Sequence, residues 1–417
     1  MFDVRIVGLI TEYNPFHNGH LYHLQESLRV TGADASVAVM SGHFLQRGEP
    51  ALVDKWVRTE MALAAGVDLV LELPFPFACN SAPHFAMGAV QTLNALGVVD
   101  SFCFGSEAGE LSPLQAIAQI LVESSEAIAA GTRQLLRNGV NYPVARAEVI
   151  SELFPRLSPE TLASPNNILG IEYLRALQST SSTMRPYTIP RLGSGYHSTD
   201  VSTPIASATG VRKLIAEGDS FDHLLPRACL NILKVALDEG KSLDYGRLFN
   251  SLQTFLLQEV ESLRAVYQVV DGLGQRLVDA AMTAMTYAEL ANSIKSRQWT
   301  LTRIQRILSY VLMQVSGAEM RGFLQQGPMF LRLLGSTERG RQILARARSK
   351  KTLPVISDPA RAKGTLRRFY RDRPGFCRLA EQMLNCDSRA TRLYGLLQAT
   401  QQKVHRNQDF FHSVGRA

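Results

Sequence analysis

Short apolar runs recur through the first 215 positions: VRIVGLI, DASVAVM, VDLVLELP, VDSFCFGS and MRPYTIPRL. Each reads as a strand, and segments with apolar residues at helical spacing, such as KWVRTEMALAAG and FAMGAVQTLNALG, separate them. This rhythm predicts an α/β fold, a doubly wound and mainly parallel sheet. After Arg212 the strand signals stop. Apolar positions then follow helical spacing through FDHLLPRACLNILKVAL and LTRIQRILSYVLMQV, which predicts an all-helical second half. A boundary near Gly218 divides the chain into residues 1–218 and 219–417, with no internal repeat or low-complexity tract.

Composition adds limits. With 417 residues, 46% hydrophobic and 19% charged, the chain has ample material for a large core. The longest apolar region, VDLVLELPFPFAC, carries Asp68, Glu72 and two prolines, short of the roughly twenty apolar residues a membrane helix needs. The N-terminus shows neither a charged leader nor a small-residue cleavage site, so no export is expected. Five cysteines, an odd number without a CxxC pair, suggest reduced thiols in the cytoplasm. Charge is uneven: from Lys295 onward there are 24 Lys+Arg against 7 Asp+Glu, while the rest of the chain holds 20 against 30. A basic segment of this size is a footprint for a polyanion, with nucleic acid the first candidate.

The first run ends at Ile10 and leads into TEYNPFHNGHLYHL. In an open parallel sheet ligands bind beyond the carboxyl ends of strands, where strand order reverses. Asn14 and Pro15 suit a turn, a helix is expected from His17 or Asn18, and Gly19 would let a ligand approach the backbone. A helix start offers free N–H groups to phosphate, and His17 and His20 share its face as donors for charge developing on a phosphate. Two other readings exist for these histidines. One is zinc, but the third histidine, His23, is rotated away from His17 and no carboxylate completes a set, so no metal site is expected. The other is plain helix capping.

His17-Asn18-Gly19-His20 resembles the HxGH signature of the nucleotidyltransferase superfamily. Together with AVMSGHFLQRGEPA, FGSE, SPNNILGIEYL and IASATGVR, it resembles the bacterial tRNA(Met) cytidine acetate ligase family. The resemblance weakens after about residue 345. It implies activation of acetate by ATP, with Mg2+, to acetyl-adenylate, and transfer of the acetyl group to the exocyclic amine of the wobble cytidine of elongator tRNA(Met). It assigns catalysis to His17 and His20. The ATP site it implies comprises Ile10, Thr11, Glu12, Tyr13, Asn14, Pro15, Phe16, His17, Asn18, Gly19, His20, Leu21, Tyr22 and His23. To these it adds Gly105, Asn166, Arg191, and Ser207, Thr209 and Arg212 of an S-x-T-x-x-R element for the β- and γ-phosphates. Plain structural readings stand beside these: a turn glycine at 105, helix caps at Asn166 and Ser207, a surface arginine at 191.

For RNA the best candidate is KSRQWTLTRIQRIL. Ile304, Ile307, Leu308, Val311 and Leu312 form its buried stripe. Arg297, Arg303 and Arg306 lie off that stripe and suit phosphates, and Trp299 suits either a base or the core. RRFYRDRPGF is a second basic and aromatic patch. The segment SGHFLQRGEPALVDKWVRTE, with His43, Gln46, Arg47, Lys55 and Arg58, fits closure over ATP or contact with RNA equally. Two rival functions remain at this level, a small-molecule nucleotidyltransferase and a tRNA-binding protein without catalysis. The basic segment argues against the first and the intact HNGH and SATGVR against the second.

Overall fold

The computed structural model describes residues 4–140, 142–154, 164–191, 205–258, 260–270, 272–400, 406–412 and 414–416. All five predicted strands form: β1 (Ile6–Thr11), β2 (Ala35–Ser41), β3 (Leu69–Leu73), β4 (Ser101–Ser106) and β5 (Arg185–Pro190). They pair in parallel in the order β5-β4-β1-β2-β3. Adjacent residues serve opposite faces: Val37 and Val39 join one core cluster, Ala38 and Met40 the other. Both faces are covered, and for that reason the strands read as continuous apolar runs instead of alternating ones.

Seven helices matter for the site: α1 (Asn18–Thr31), α2 (Lys55–Ala64), α3 (Ala82–Leu96), α4 (Pro165–Ser179), α5 (Ala208–Glu217), α6 (Leu301–Met313) and α7 (Pro374–Leu397). The buried stripe predicted for α6 is buried at all five positions. No helix among the described residues is long and apolar enough to cross a membrane. The five cysteines are free, four of them buried.

The second half is helix-rich, but the expectation that it is all-helical is corrected. Three of its segments, β6 (Leu331–Ser336), β7 (Val355–Ile356) and β8 (Gly415–Arg416), extend the same sheet. β6 runs antiparallel to β3, and β7 and β8 run parallel to β6. The LRLLGS run was hidden by Arg332, a charge that marks a solvent-facing position in a local reading. Here Arg332 is buried, and its Nη2 lies 3.1 Å from Oδ1 of Asp409. That oxygen also lies 2.9 Å from Nζ of Lys55, whose other partner is Glu72, 2.8 Å away. The C-terminal segment therefore closes a buried charge cluster at the base of α2.

Candidate active site at the switch point of the sheet

From β1 the chain winds outward through β2 and β3, then returns to place β4 on the other side of β1. The carboxyl ends of β1 and β4 thus part at the switch point, where a cavity of about 350 Å3 opens. The run from 10 to 23 divides there. Ile10, Thr11, Glu12, Tyr13, Asn14, His17, Gly19, His20, Tyr22 and His23 line the cavity. Pro15, Phe16, Asn18 and Leu21 do not: Phe16 and Leu21 pack into the core, and Asn18 donates its Nδ2–H to the carbonyl of His223.

α1 starts with an unusual cap. The Nδ1 atom of His17 accepts the Gly19 N–H at 3.0 Å, and the Nδ1 of His20 accepts the His17 N–H at 3.3 Å. Two imidazoles thus form the reciprocal capping box usually built from Ser/Thr and Glu. Their rings lie 3.9 Å apart, centroid to centroid. With both Nδ1 atoms accepting, the proton of each neutral ring sits on Nε2. Burial, then the charges of Arg191 and Arg212, lowers the His17 pKa to about 3. Burial and neighbouring histidines hold His20 well below its ordinary value, and burial lowers His23 to about 4. Capping and donation are therefore compatible, since the neutral rings cap through one nitrogen and keep an Nε2–H for a ligand. Gly19 is explained differently from the expectation: a Cβ there would fall 2.8 Å from Cε1 of His17, so the glycine first makes room for the capping ring.

The other strand ends supply polar groups. Gly105, Asn166, Arg191, Ser207, Thr209 and Arg212 all line the cavity. Ser207 caps α5 by accepting the Gly210 N–H, and this puts the helix's positive end at the cavity. Arg212 donates to the carbonyl of Asn14 at 2.8 Å and to Oγ1 of Thr209 at 3.3 Å. Glu107, overlooked in FGSE, organises α4: its Oε1 accepts from N and Nδ2 of Asn166 and its Oε2 from N of Asn167. Arg191 donates to Oδ1 of Asn166 at 3.2 Å. The amide of Asn166 thus holds Glu107 and Arg191 together.

The segment after β2 closes one side with Gln46, Arg47 and Glu49. The N–H of Gln46 donates to Oε1 of Glu12 at 2.7 Å. Arg58 is fully buried and braces the floor, donating to the carbonyls of Glu12, Ser41, Gly42 and Val53. The outer side rests on α6, where Ser309 Oγ donates to the Gly48 carbonyl, Gln305 Nε2 to Glu49, and Arg306 to the Gln46 carbonyl. Gly48 has φ of +92°, and a side chain there would run into the backbone at Arg306.

Arg306 is engaged with the cavity loop, and Arg303 is partly buried, its guanidinium pKa lowered by burial and by Arg306. Trp299 packs against the core with the Arg276 guanidinium over its ring at 5.6 Å. Only Arg297 of the four is exposed. The second patch is the open one: Lys363, Arg367, Arg368, Arg371, Arg373 and Arg378 are all exposed.

Comparison with known proteins agrees with this geometry. The family model described as HIGH Nucleotidyl Transferase matches residues 4–409. The chain is 51% identical to the tRNA(Met) cytidine acetate ligase of Syntrophotalea carbinolica, covering 98% of each chain. It is 43% identical to that of Acetivibrio thermocellus over 85% of this chain and 88% of the relative. The crystal structure of Thermotoga maritima TmcAL bound with alpha-thio ATP superposes with a TM-score of 0.92 at 32% identity, covering 99% of this chain and all of the other. The chain belongs to the tRNA(Met) cytidine acetate ligase family, within the HIGH nucleotidyltransferases.

Proposed function

We propose that this protein is an ATP-dependent acetate ligase that forms acetyl-adenylate and passes the acetyl group to the N4 amine of the wobble cytidine of elongator tRNA(Met). The observation that carries this reading is the pair of neutral Nε2–H donors on His17 and His20 at a switch-point cavity. Acetate is a poor acyl donor because oxide is a poor leaving group, so its carboxylate first attacks the α-phosphate of ATP and expels pyrophosphate. Positioning and charge stabilisation drive such a step. His17 and His20 donate to α-phosphate oxygens as charge accumulates there. Being neutral, they do so by dipoles already fixed in place by the cap, with no proton to gain or lose. The N-terminus of α5 and Arg212 hold the β- and γ-phosphates. Mg2+ would arrive on the phosphates of ATP and neutralise their charge.

Residues 1–218 carry this chemistry, and 219–417 present the tRNA, in the cytoplasm. The RNA face is the exposed patch from Lys363 to Arg378 together with Arg297, while α6 serves the cavity loop from behind. The test is incubation with ATP, acetate and tRNA, followed by mass spectrometry of nucleosides. N4-acetylcytidine should require all three; acetylation from acetate without ATP, or adenylylated RNA in its place, would overturn the proposal.

A further inference from the structure

The acetyl transfer needs somewhere for a proton to go. As N4 of cytidine attacks, its lone pair forms the C–N bond and the carbonyl π pair moves onto oxygen. That oxygen pair then re-forms C=O and expels AMP, whose phosphate oxygen keeps the electrons of the broken C–O bond. One N4 proton must leave. We propose that Glu12 is the general base that takes it, a role that rests on the function proposed above.

Among the described cavity residues few groups can accept that proton. His17 and His20 hold their Nδ1 lone pairs against backbone N–H groups, so their Nε2 atoms are donors and can accept no proton. Nε2 of His23 is closed off from solvent. The hydroxyl of Tyr13 is likewise buried, and the lining arginines offer no lone pair. Two carboxylates are left, Glu12 and Glu49. Glu49 also lines the cavity, but it sits on the loop after β2, where its Oε1 accepts from Nε2 of Gln305 on α6. Glu12 directly follows β1; its Oε1 is fixed by the Gln46 N–H, and Oε2 makes no hydrogen bond among the described residues. Burial raises the carboxyl above its ordinary value, against the pull of the Gln46 N–H and of Arg47, Arg58 and Arg212, which face it from the loop, α2 and α5. A raised value brings a base closer to the working pH, where it is most effective.

Glu12→Gln tests this because it preserves an acceptor for the Gln46 N–H. ATP–pyrophosphate exchange with acetate reports the first half-reaction, and single-turnover transfer from preformed acetyl-adenylate to tRNA reports the second. The expected result is a loss of transfer of about a hundredfold or more, with a much smaller loss of exchange. In the parent protein transfer should rise with pH through a single ionisation, which disappears in Glu12→Gln. Equal losses in both steps would make Glu12 a nucleotide-binding group and overturn the role. So would unchanged transfer, or a selective loss found in Glu49→Gln but not in Glu12→Gln. If the parent protein performs neither half-reaction, the proposed function falls and the role falls with it.

Discussion

Replacing Asp409 with asparagine removes one of two anions from the buried cluster of Lys55, Arg332, Glu72 and Asp409. The cluster balances as it stands, with two cations and two anions. His43 beside it is held neutral by burial and then by Lys55, and the Asp387 carboxyl is pushed well above the carboxylate range, toward its neutral form, by burial and then by Glu72. Asp409 goes the other way: burial pushes its pKa up, but Lys55 and Arg332 more than reverse this and leave it well below the carboxylate range. In Asp409→Asn both cations keep their burial and share Glu72 alone. Leaving a buried charge uncompensated in this way costs about 3–5 kcal/mol, a large share of a typical stability of roughly 5–15 kcal/mol. Asp387→Asn changes no charge and keeps the acceptor for the Phe75 N–H, now 2.8 Å away, so its cost should stay under about 1 kcal/mol. Because the folded pKa of Asp409 is depressed, its contribution is complete above the unfolded value near 4 and fades as pH falls below it. Chemical denaturation at pH 7 and at pH 3, below the unfolded value, measures both effects. Equal costs for the two substitutions at pH 7, or an Asp409→Asn cost that does not shrink with acid, would refute the charge states assigned here.

His20→Ala should lower acetate-dependent pyrophosphate exchange roughly a hundredfold to a thousandfold, whereas its structural cost, one lost cap acceptor, should be about 1 kcal/mol by thermal denaturation. With histidine pKa values held at about 3 and 4 for His17 and His23, and low for His20, exchange should show no inflection near 6.5; the same depression means stability declines as pH drops below about 6.5. Gly19→Ala should displace the His17 ring and depress exchange while tRNA binding, followed by filter retention, persists. Arg306→Glu should damage exchange itself by releasing the cavity loop, whereas Lys363→Glu and Arg368→Glu should each flatten the salt dependence of tRNA binding by about one unit of slope.

The parts of this molecule legible in its sequence are those whose causes are local. β1 to β4 announce themselves because each is buried on both faces, the half-buried edge strand β5 because it follows a helical segment at the expected spacing, and His17 and His20 because a strand, a turn and a helix start follow one another within a dozen residues. Capping was an alternative reading of these histidines, but its reciprocal form and its compatibility with donation were harder to see, since imidazoles stand where Ser and Glu are expected and their two roles use different ring nitrogens. β6 escaped because the partner that neutralises Arg332 lies 77 residues away. The contact that Arg306 makes with the cavity loop escaped for the same kind of reason. A helical wheel correctly puts it off the buried stripe, but the side it faces is covered by Gln46 and Gly48, some 260 positions earlier. Glu107 needed only a local signal, a carboxylate placed after a strand and ready to cap an incoming helix, and was passed over for the glycine two positions before it.

The fate of the acetate oxygen tests whether an acetyl-adenylate forms at this site. If the carboxylate attacks the α-phosphate, the attacking oxygen becomes the bridge of acetyl-adenylate, and it stays on phosphorus when cytidine displaces AMP. With 18O-labelled acetate, ATP and tRNA, the AMP recovered after transfer should carry one 18O per N4-acetylcytidine formed. Label in inorganic phosphate, or unlabelled AMP beside acetylated tRNA, would contradict an acetyl-adenylate at this site.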